Sequence, residues 1–257
     1  MGSLISKITS EGLTQLPNSS FSFQFNGVIW KVVYDRFCNQ LALEVRDQDE
    51  LKLSLEVIDL EINEKKELGL SEIDWWSSVL FFQNHHLFVE KYQDAQSPLK
   101  KDLLHFDVRK PELINSFTGY QLLNLSSENF TIQEIEQPEN IREYSINAPE
   151  RGAHLFLQPV FYEKGDDEFI PVQEYLTGID LVLGAEYLEW KNYIIISYYQ
   201  RFGKEFERKI LIIKGNDEIL HQTQDQEMKG YAPGAFFICN RYLIFVVEKN
   251  RLNAIEI

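Results

Sequence analysis

The chain has 257 residues, 44% of them hydrophobic and 13% aromatic, and a formal charge of −15 from 40 acidic and 25 basic side chains. That apolar content excludes global disorder, and the charge sets the surface against nucleic-acid phosphates and anionic membranes. No stretch approaches the roughly 18 apolar residues of a membrane span, two cysteines are too few for a disulfide framework, and the start, MGSLISKITSEGL, lacks the apolar run of a secretory signal. A cytoplasmic protein with reduced thiols is the expectation.

Residues 1–20 carry scattered apolar positions with no sustained period and form an N-terminal arm of unassigned structure. Phe21, Phe23 and Phe25 then alternate with polar residues, which is the pattern of a half-buried strand, and Asn26-Gly27 is a turn signal. Lys31–Cys38 and Gln40–Arg46 read as a hairpin about Asn39. Leu51, Leu53, Leu55 and Val57 share one face while Ile58, Leu60 and Ile62 fall on the other, a slip that predicts a bulge or a change of neighbour. Glu64–Ser71 is a polar link.

Next comes the best-formed sheet: Val79–Phe82, a turn at Gln83–His85, His86–Gln93, Asp102–Val108, a Lys-Pro turn and Glu112–Phe117. Beyond it, Ile141–Asn147, His154–Tyr162 and Phe169–Leu176 are predicted strands. Ala148–Ala153 and Glu163–Glu168 join them, with a solvated hairpin tip at Gly165–Glu168. Tyr231–Gly234 is a turn before the last three strands, Ala235–Cys239, Tyr242–Glu248 and Arg251–Ile257.

These segments repeat. Phe37-Cys38-Asn39, Phe82-Gln83-Asn84, Trp190-Lys191-Asn192 and Ile238-Cys239-Asn240 each end an apolar run on an Asn that leads into another run, and Asn129 is a fainter copy. Asn suits such turns because it enters the left-handed region at low cost. The spacings are 45, 45, 63 and 48 residues, the period of propeller blades. The prediction is an all-β, β-propeller-like ring of about five antiparallel blades (alternatively six, if the 63-residue gap hides one), a single domain over residues 1–257. The last unit has three strands and Phe21–Phe25 has no partner in the first, so pairing of that N-terminal strand with the C-terminal sheet would close the ring. A β-sandwich is the alternative. Cys38 and Cys239 then occupy equivalent places in neighbouring units, as small buried hydrophobes too far apart for a disulfide.

Chemistry-bearing residues are sparse. His85 and His86, with His105 and Asp107, form the densest histidine group, but without an HxH or HExxH spacing no metal site is assigned and solvent-facing turn histidines are expected. Trp75 and Trp76, preceded by Asp74, are either an aromatic platform for a ligand or aromatics packed between sheets, with packing preferred. Asp74, Trp75, Trp76, His85, His86 and His105 are therefore the candidate ligand-surface residues. No catalytic motif occurs, and the isolated glycines make no phosphate-cradling loop, so no cofactor is expected.

Through units such as VLFFQNHHLFVEKYQ and AFFICNRYLIFVVEK the chain resembles a bacterial family of unknown function, seen mainly in Bacteroidetes, with propeller-like repeats. The resemblance implies no functional residue. The functional expectation is a non-enzymatic binding or interaction module for a protein or small ligand, with neither nucleic acid nor membrane as partner. The alternative is a hydrolase using carboxylates at one mouth of the central channel.

Overall fold

The computed structural model describes residues 21–94, 96–97, 99–147, 151–228 and 234–257. The N-terminal arm (1–20), residues 148–150 of the Ala148–Ala153 loop and 231–233 of the Tyr231–Gly234 turn lie outside them.

The chain is all-β, built of antiparallel sheets laid down in sequence order. After β1 (Phe21–Gln24), sheet I holds β2 (Val28–Asp35), β3 (Gln40–Asp47), β4 (Lys52–Asp59) and β5 (Glu64–Glu67). Sheet II holds β6 (Ser77–Gln83), β7 (His86–Tyr92), β8 (Lys101–Asp107) and β9 (Glu112–Thr118), and sheet III holds β10 (Tyr120–Leu125), β11 (Asn129–Glu134) and β12 (Ile141–Ser145). The two-residue β13 (Phe156–Leu157) precedes sheet IV, which contains β14 (Val160–Glu163), then, after the short helix α1 (Ile170–Tyr175), β15 (Leu181–Trp190), β16 (Tyr193–Phe202), β17 (Glu205–Lys214) and β18 (Asp217–Met228). Sheet V holds β19 (Phe236–Cys239), β20 (Tyr242–Val247) and β21 (Arg251–Glu256), with β13 on one edge and β1 on the other. The N-terminal strand does join the C-terminal sheet: Phe21 lies opposite Ala254 and Gln24 opposite Arg251.

The repeat is visible in the backbone. Asn39, Asn84 and Asn240 take φ of 53°, 50° and 52° in the hairpin turns, as the Asn pattern predicts. In sheet IV the left-handed residue is Lys191 (φ 54°) and not Asn192. Asn129 is no copy of this turn, since it opens β11 with its N–H on Ser126 Oγ. A second shared feature escaped the sequence pattern. In sheets I to IV the first hairpin carries a register break, at Ile29/Lys31, Val79/Phe81, Leu122/Asn124 and Val182/Ala185. Each bulge frees main-chain groups from the ladder.

One expectation is narrowed and two need correction. β4 pairs with β3 without a break, so the switch of face at Val57 and Ile58 is no bulge. Both are buried because sheet I is covered on both sides, Val57 packing with sheet II residues and Ile58 with sheet V residues. The Glu64–Ser71 link contains β5, an exposed edge strand whose EKKE sequence has no apolar face to detect and suits an open edge. Phe169–Leu176 is helical, not a strand, and Gly165–Glu168 leads into it through a 3-10 turn rather than forming a hairpin tip. Pro171 starts the helix at no cost in hydrogen bonds, and Phe169, Val172 and Leu176 bury one stripe against Leu181, Ala185 and Tyr198.

Buried apolar clusters join neighbouring sheets: I with II (Leu55, Val57, Val79, Phe106), II with III (Phe88, Leu103, Phe130, Ile132), IV with V (Ile195, Ile212, Phe236, Phe245) and V with I (Tyr242, Ile244, Leu41, Ile58). Polar side chains stitch the same boundaries. Glu44, fully buried on β3, accepts the Val79 N–H at 2.9 Å and the Ser78 hydroxyl at 3.0 Å across to sheet II, and pairs with Arg46. Buried Gln224 of sheet IV donates to the Ala235 and Val246 carbonyls of sheet V.

Removing residues 1–24 leaves the edge of β21 open and uncovers Tyr242, against which Phe21 packs at 5.2 Å. The truncated chain should melt about 5–10 °C lower and associate with rising concentration, as unpaired edges do. An unchanged melting temperature with a monomeric elution profile would show that β1 contributes nothing. Glu44→Ala strands Arg46 and the Val79 N–H, and should cost about 3–5 kcal/mol in urea unfolding.

Candidate functional site

The six residues singled out in the sequence separate into two places. Asp74 shapes the turn before β6: its carboxylate accepts the Trp76 N–H at 2.9 Å and pairs with Lys91 at 3.0 Å. Trp75 is half-buried, with the Arg46 guanidinium 5.1 Å above its ring. Trp76 is 52% exposed, so it is not a packed intersheet aromatic. The same Arg46 also lies over Trp30, giving a Trp30–Arg46–Trp75 stack at the sheet I–II boundary.

His85 lies in the β6–β7 turn (φ 66°), as expected, but His86 and His105 are buried rather than solvent-facing. His86 lies opposite Asp107 and Phe88 opposite His105, so all four share one face of sheet II, and that face is covered by Phe130 of sheet III. His105 stacks on Phe88 at 4.5 Å. Its Nδ1 takes the Asn115 amide at 3.3 Å, so its Nε2 carries the proton and donates to His86 Nδ1 at 2.9 Å. His86 is then left with a buried Nε2–H that has no partner among the described residues. It borders a cavity of about 340 Å³ that Asp107, Arg109, Asn115 and Tyr144 also line. Burial lowers both pKa values. For His105 the value falls to about 3, with His86 adding to the effect and Asp107 opposing it. For His86, Asp107 again opposes the shift.

A larger cavity, about 640 Å³, opens where β2, β14, β15, β17, β18 and sheet V meet. Its walls are aromatic, with Trp30, Phe156, Phe161 and Phe237 among them, and Trp30 is 61% exposed at its edge. Three buried charged groups line it. Glu186 accepts the Gly234 and Ala235 N–H groups at 2.6 and 2.8 Å, fixing the start of β19 to sheet IV. Arg208 pairs with Asp225 Oδ2 at 2.5 Å. Asp225 Oδ1 is buried and, among the described residues, has no hydrogen-bond partner. An apolar pocket of this size with a few converging polar groups has the makeup of a ligand site.

Sequence reasoning missed Glu186, Arg208 and Asp225. A usable signal existed for the first, a charge inside the apolar run LVLGAEYLEW. Arg208 and Asp225 sit in polar stretches, ERK and TQDQE, where burial leaves no mark.

The buried histidines give the stability a pH dependence. Both are neutral when folded, while the unfolded chain protonates near pH 6.5. Stability is therefore complete above that pH and lost as pH falls toward 3, through His105 at up to about 1.4 kcal/mol per pH unit. By pH 4.5 the loss through His105 should reach about 2–3 kcal/mol. His105→Phe keeps the stack with Phe88 and Phe130 and should flatten the urea-midpoint profile between pH 6.5 and 4.5. An unaltered slope would assign the acid sensitivity elsewhere.

Comparison with known proteins adds little about activity. Residues 35–114, covering most of sheets I and II, match the family described as Domain of unknown function (DUF4905). No curated protein matches the chain in sequence. Two solved structures to which it is similar are the beta-propeller domain of the Trilobed protease from Pyrococcus furiosus and the WD40 domain of SCAP from fission yeast. The first shows 12% identity and a TM-score of 0.32 over 86% of this chain and 66% of that one. The second shows 12% identity and a TM-score of 0.30 over 91% of this chain and 57% of that one.

Proposed function

We propose that the chain is a non-enzymatic binding module: one β-propeller-like domain in which the five sheets act as blades of a ring closed through β1, with the 640 Å³ cavity as its ligand site. The order of the apolar clusters and the β1–β21 pairing support the ring. The ligand reading rests on Asp225, which lines an aromatic pocket and whose Oδ1 is a buried acceptor lacking a partner among the described residues. A buried acceptor of this kind is costly unless something satisfies it. The complementary ligand is a small molecule or peptide side chain with an apolar or aromatic body and an N–H donor at its tip, and an ammonium would gain further from the aromatic walls.

Hydrolysis by paired carboxylates is the weaker reading. Glu186 and Asp225 both line the cavity, which is what that chemistry asks for. But both carboxylates already have structural partners, main-chain N–H groups for Glu186 and the Arg208 guanidinium for Asp225.

A thermal-shift series of arylalkyl amines with matched ethers and carboxylates tests the site. An amine at one hundred times its Kd should stabilise by about 2.7 kcal/mol, which raises the melting temperature by about 5–10 °C. Asp225→Asn should remove the preference for amines. Trp30→Ala, at a position that is mostly exposed, should weaken every ligand in the series. Equal stabilisation by carboxylates, or shifts indifferent to Trp30→Ala, would sink the proposal.

A further inference from the structure

At the turn end of the sheet I–II boundary lies a cluster that the cavity does not use. Asp35 ends β2, Cys38 follows in the turn to β3, and His85 stands in the turn between β6 and β7. One potential ligand atom from each lies within 4.8 Å of the other two. Sequence spacing hid this group, because its members come from two sheets.

Two of the three donors, Asp35 and His85, are held in place by hydrogen bonds. Asp35 is fully buried: Oδ1 accepts the Phe37 and Cys38 N–H groups at 3.0 and 3.2 Å, and Oδ2 accepts the His85 N–H at 2.9 Å. A carboxylate oxygen has two lone-pair directions, so Oδ2 keeps one. The His85 Nδ1 faces Gln40 Oε1 at 3.2 Å. An amide oxygen can only accept, so Nδ1 carries the proton and Nε2 presents its lone pair. This is the outer-shell arrangement that orients metal-binding histidines. Cys38 and His85 are half-buried, which leaves a path from solvent.

We propose that Asp35, Cys38 and His85 form a three-ligand site for a zinc-class divalent transition metal, with the fourth position open to water or an incoming ligand. One thiolate, one imidazole and one carboxylate form the mixed sulfur, nitrogen and oxygen set that such ions accept. Tetrahedral bonds of about 2.0–2.3 Å place donor atoms somewhat closer than they stand here, and side-chain rotation of Cys38 and His85 supplies the difference. On binding, the Cys38 S–H bond breaks, a metal–thiolate bond forms and the proton leaves to solvent. The site is independent of the central cavity and of the binding reading given to it.

Cobalt(II) is the probe. The intact chain should take up one Co²⁺, with a thiolate-to-cobalt charge-transfer band and tetrahedral d–d absorption, release about one proton per metal, and yield the cobalt to Zn²⁺. Cys38→Ser should abolish the charge-transfer band, whereas Cys239→Ser should leave it intact. His85→Gln should weaken binding by more than about 100-fold, and Gln40→Ala by about 10–100-fold with the band retained. If Cys38→Ser does not fold, His85→Gln and Gln40→Ala decide the question, since both substitutions fall at partly exposed positions. No charge-transfer band in the native chain, or a band indifferent to these substitutions, would reduce Asp35 to a residue that only closes the turn.

Discussion

Buried carboxylates that accept main-chain N–H groups from the next sheet are the constraint on which this architecture turns. Glu44 does this from sheet I to Val79 in sheet II, Asp35 from sheet I to His85 in the turn of sheet II, and Glu186 from sheet IV to Gly234 and Ala235 just before sheet V. Apolar packing alone is tolerant of sliding between stacked sheets. A carboxylate buried against a particular N–H is not, because every displaced register leaves both partners unsatisfied in a dry boundary.

These carboxylates act together with the bulges. In β6 the register breaks between Val79 and Phe81, and the Val79 N–H is the group that Glu44 collects. In β15 the break lies between Val182 and Ala185, next to Glu186, and Gly184 sits within it where a Cβ would run into the Tyr162 carbonyl of β14. In both places the bulge releases or admits main chain where the neighbouring element approaches closely. Placement of the Asp35–Cys38–His85 cluster follows directly. Asp35 holds the His85 backbone to close one end of the same boundary that Glu44 and Arg46 close further along.

The strands were legible in the sequence because most have a face that alternates or a fully apolar run. The turn asparagines at 39, 84 and 240 were legible because left-handed backbone restricts the choice of residue. What escaped lacked such a signature. β5 is EKKE, with nothing to bury. The segment Phe169–Leu176 has too few residues for helical and strand periods to separate, and Pro171 alone pointed the right way. The histidines looked like surface residues because a single strand does not reveal whether a further sheet covers it, and Phe130 of sheet III does so here. Function is harder to see for the same reason: Asp225, Arg208 and Glu186 converge from three strands, and His85 meets Asp35 across 50 positions.

An irregularity in the repeat supplies part of the wall of the 640 Å³ cavity. Asn129 and Asn192 stand 63 positions apart, and that interval holds the chain that leaves sheet III at Ser145 and begins sheet IV at Val160. It runs first to sheet I, where the His154 N–H reaches the Arg36 carbonyl at 2.7 Å and Phe156 packs on Tyr34 at 5.4 Å. It then pairs with sheet V, Phe156 opposite Cys239. Only afterwards does it enter sheet IV, with Gln158, Pro159 and Phe161 facing the cavity on the way. Among the described residues no buried apolar cluster joins sheets III and IV, and the segment packs elsewhere, Leu155 and Leu157 against the cluster shared by sheets IV and V and Phe156 against Tyr34 and Phe237. A repeat holds its shape by doing the same thing each time. The stretch that departs from the repeat adds Phe156, Gln158 and Pro159 to the lining of the 640 Å³ cavity.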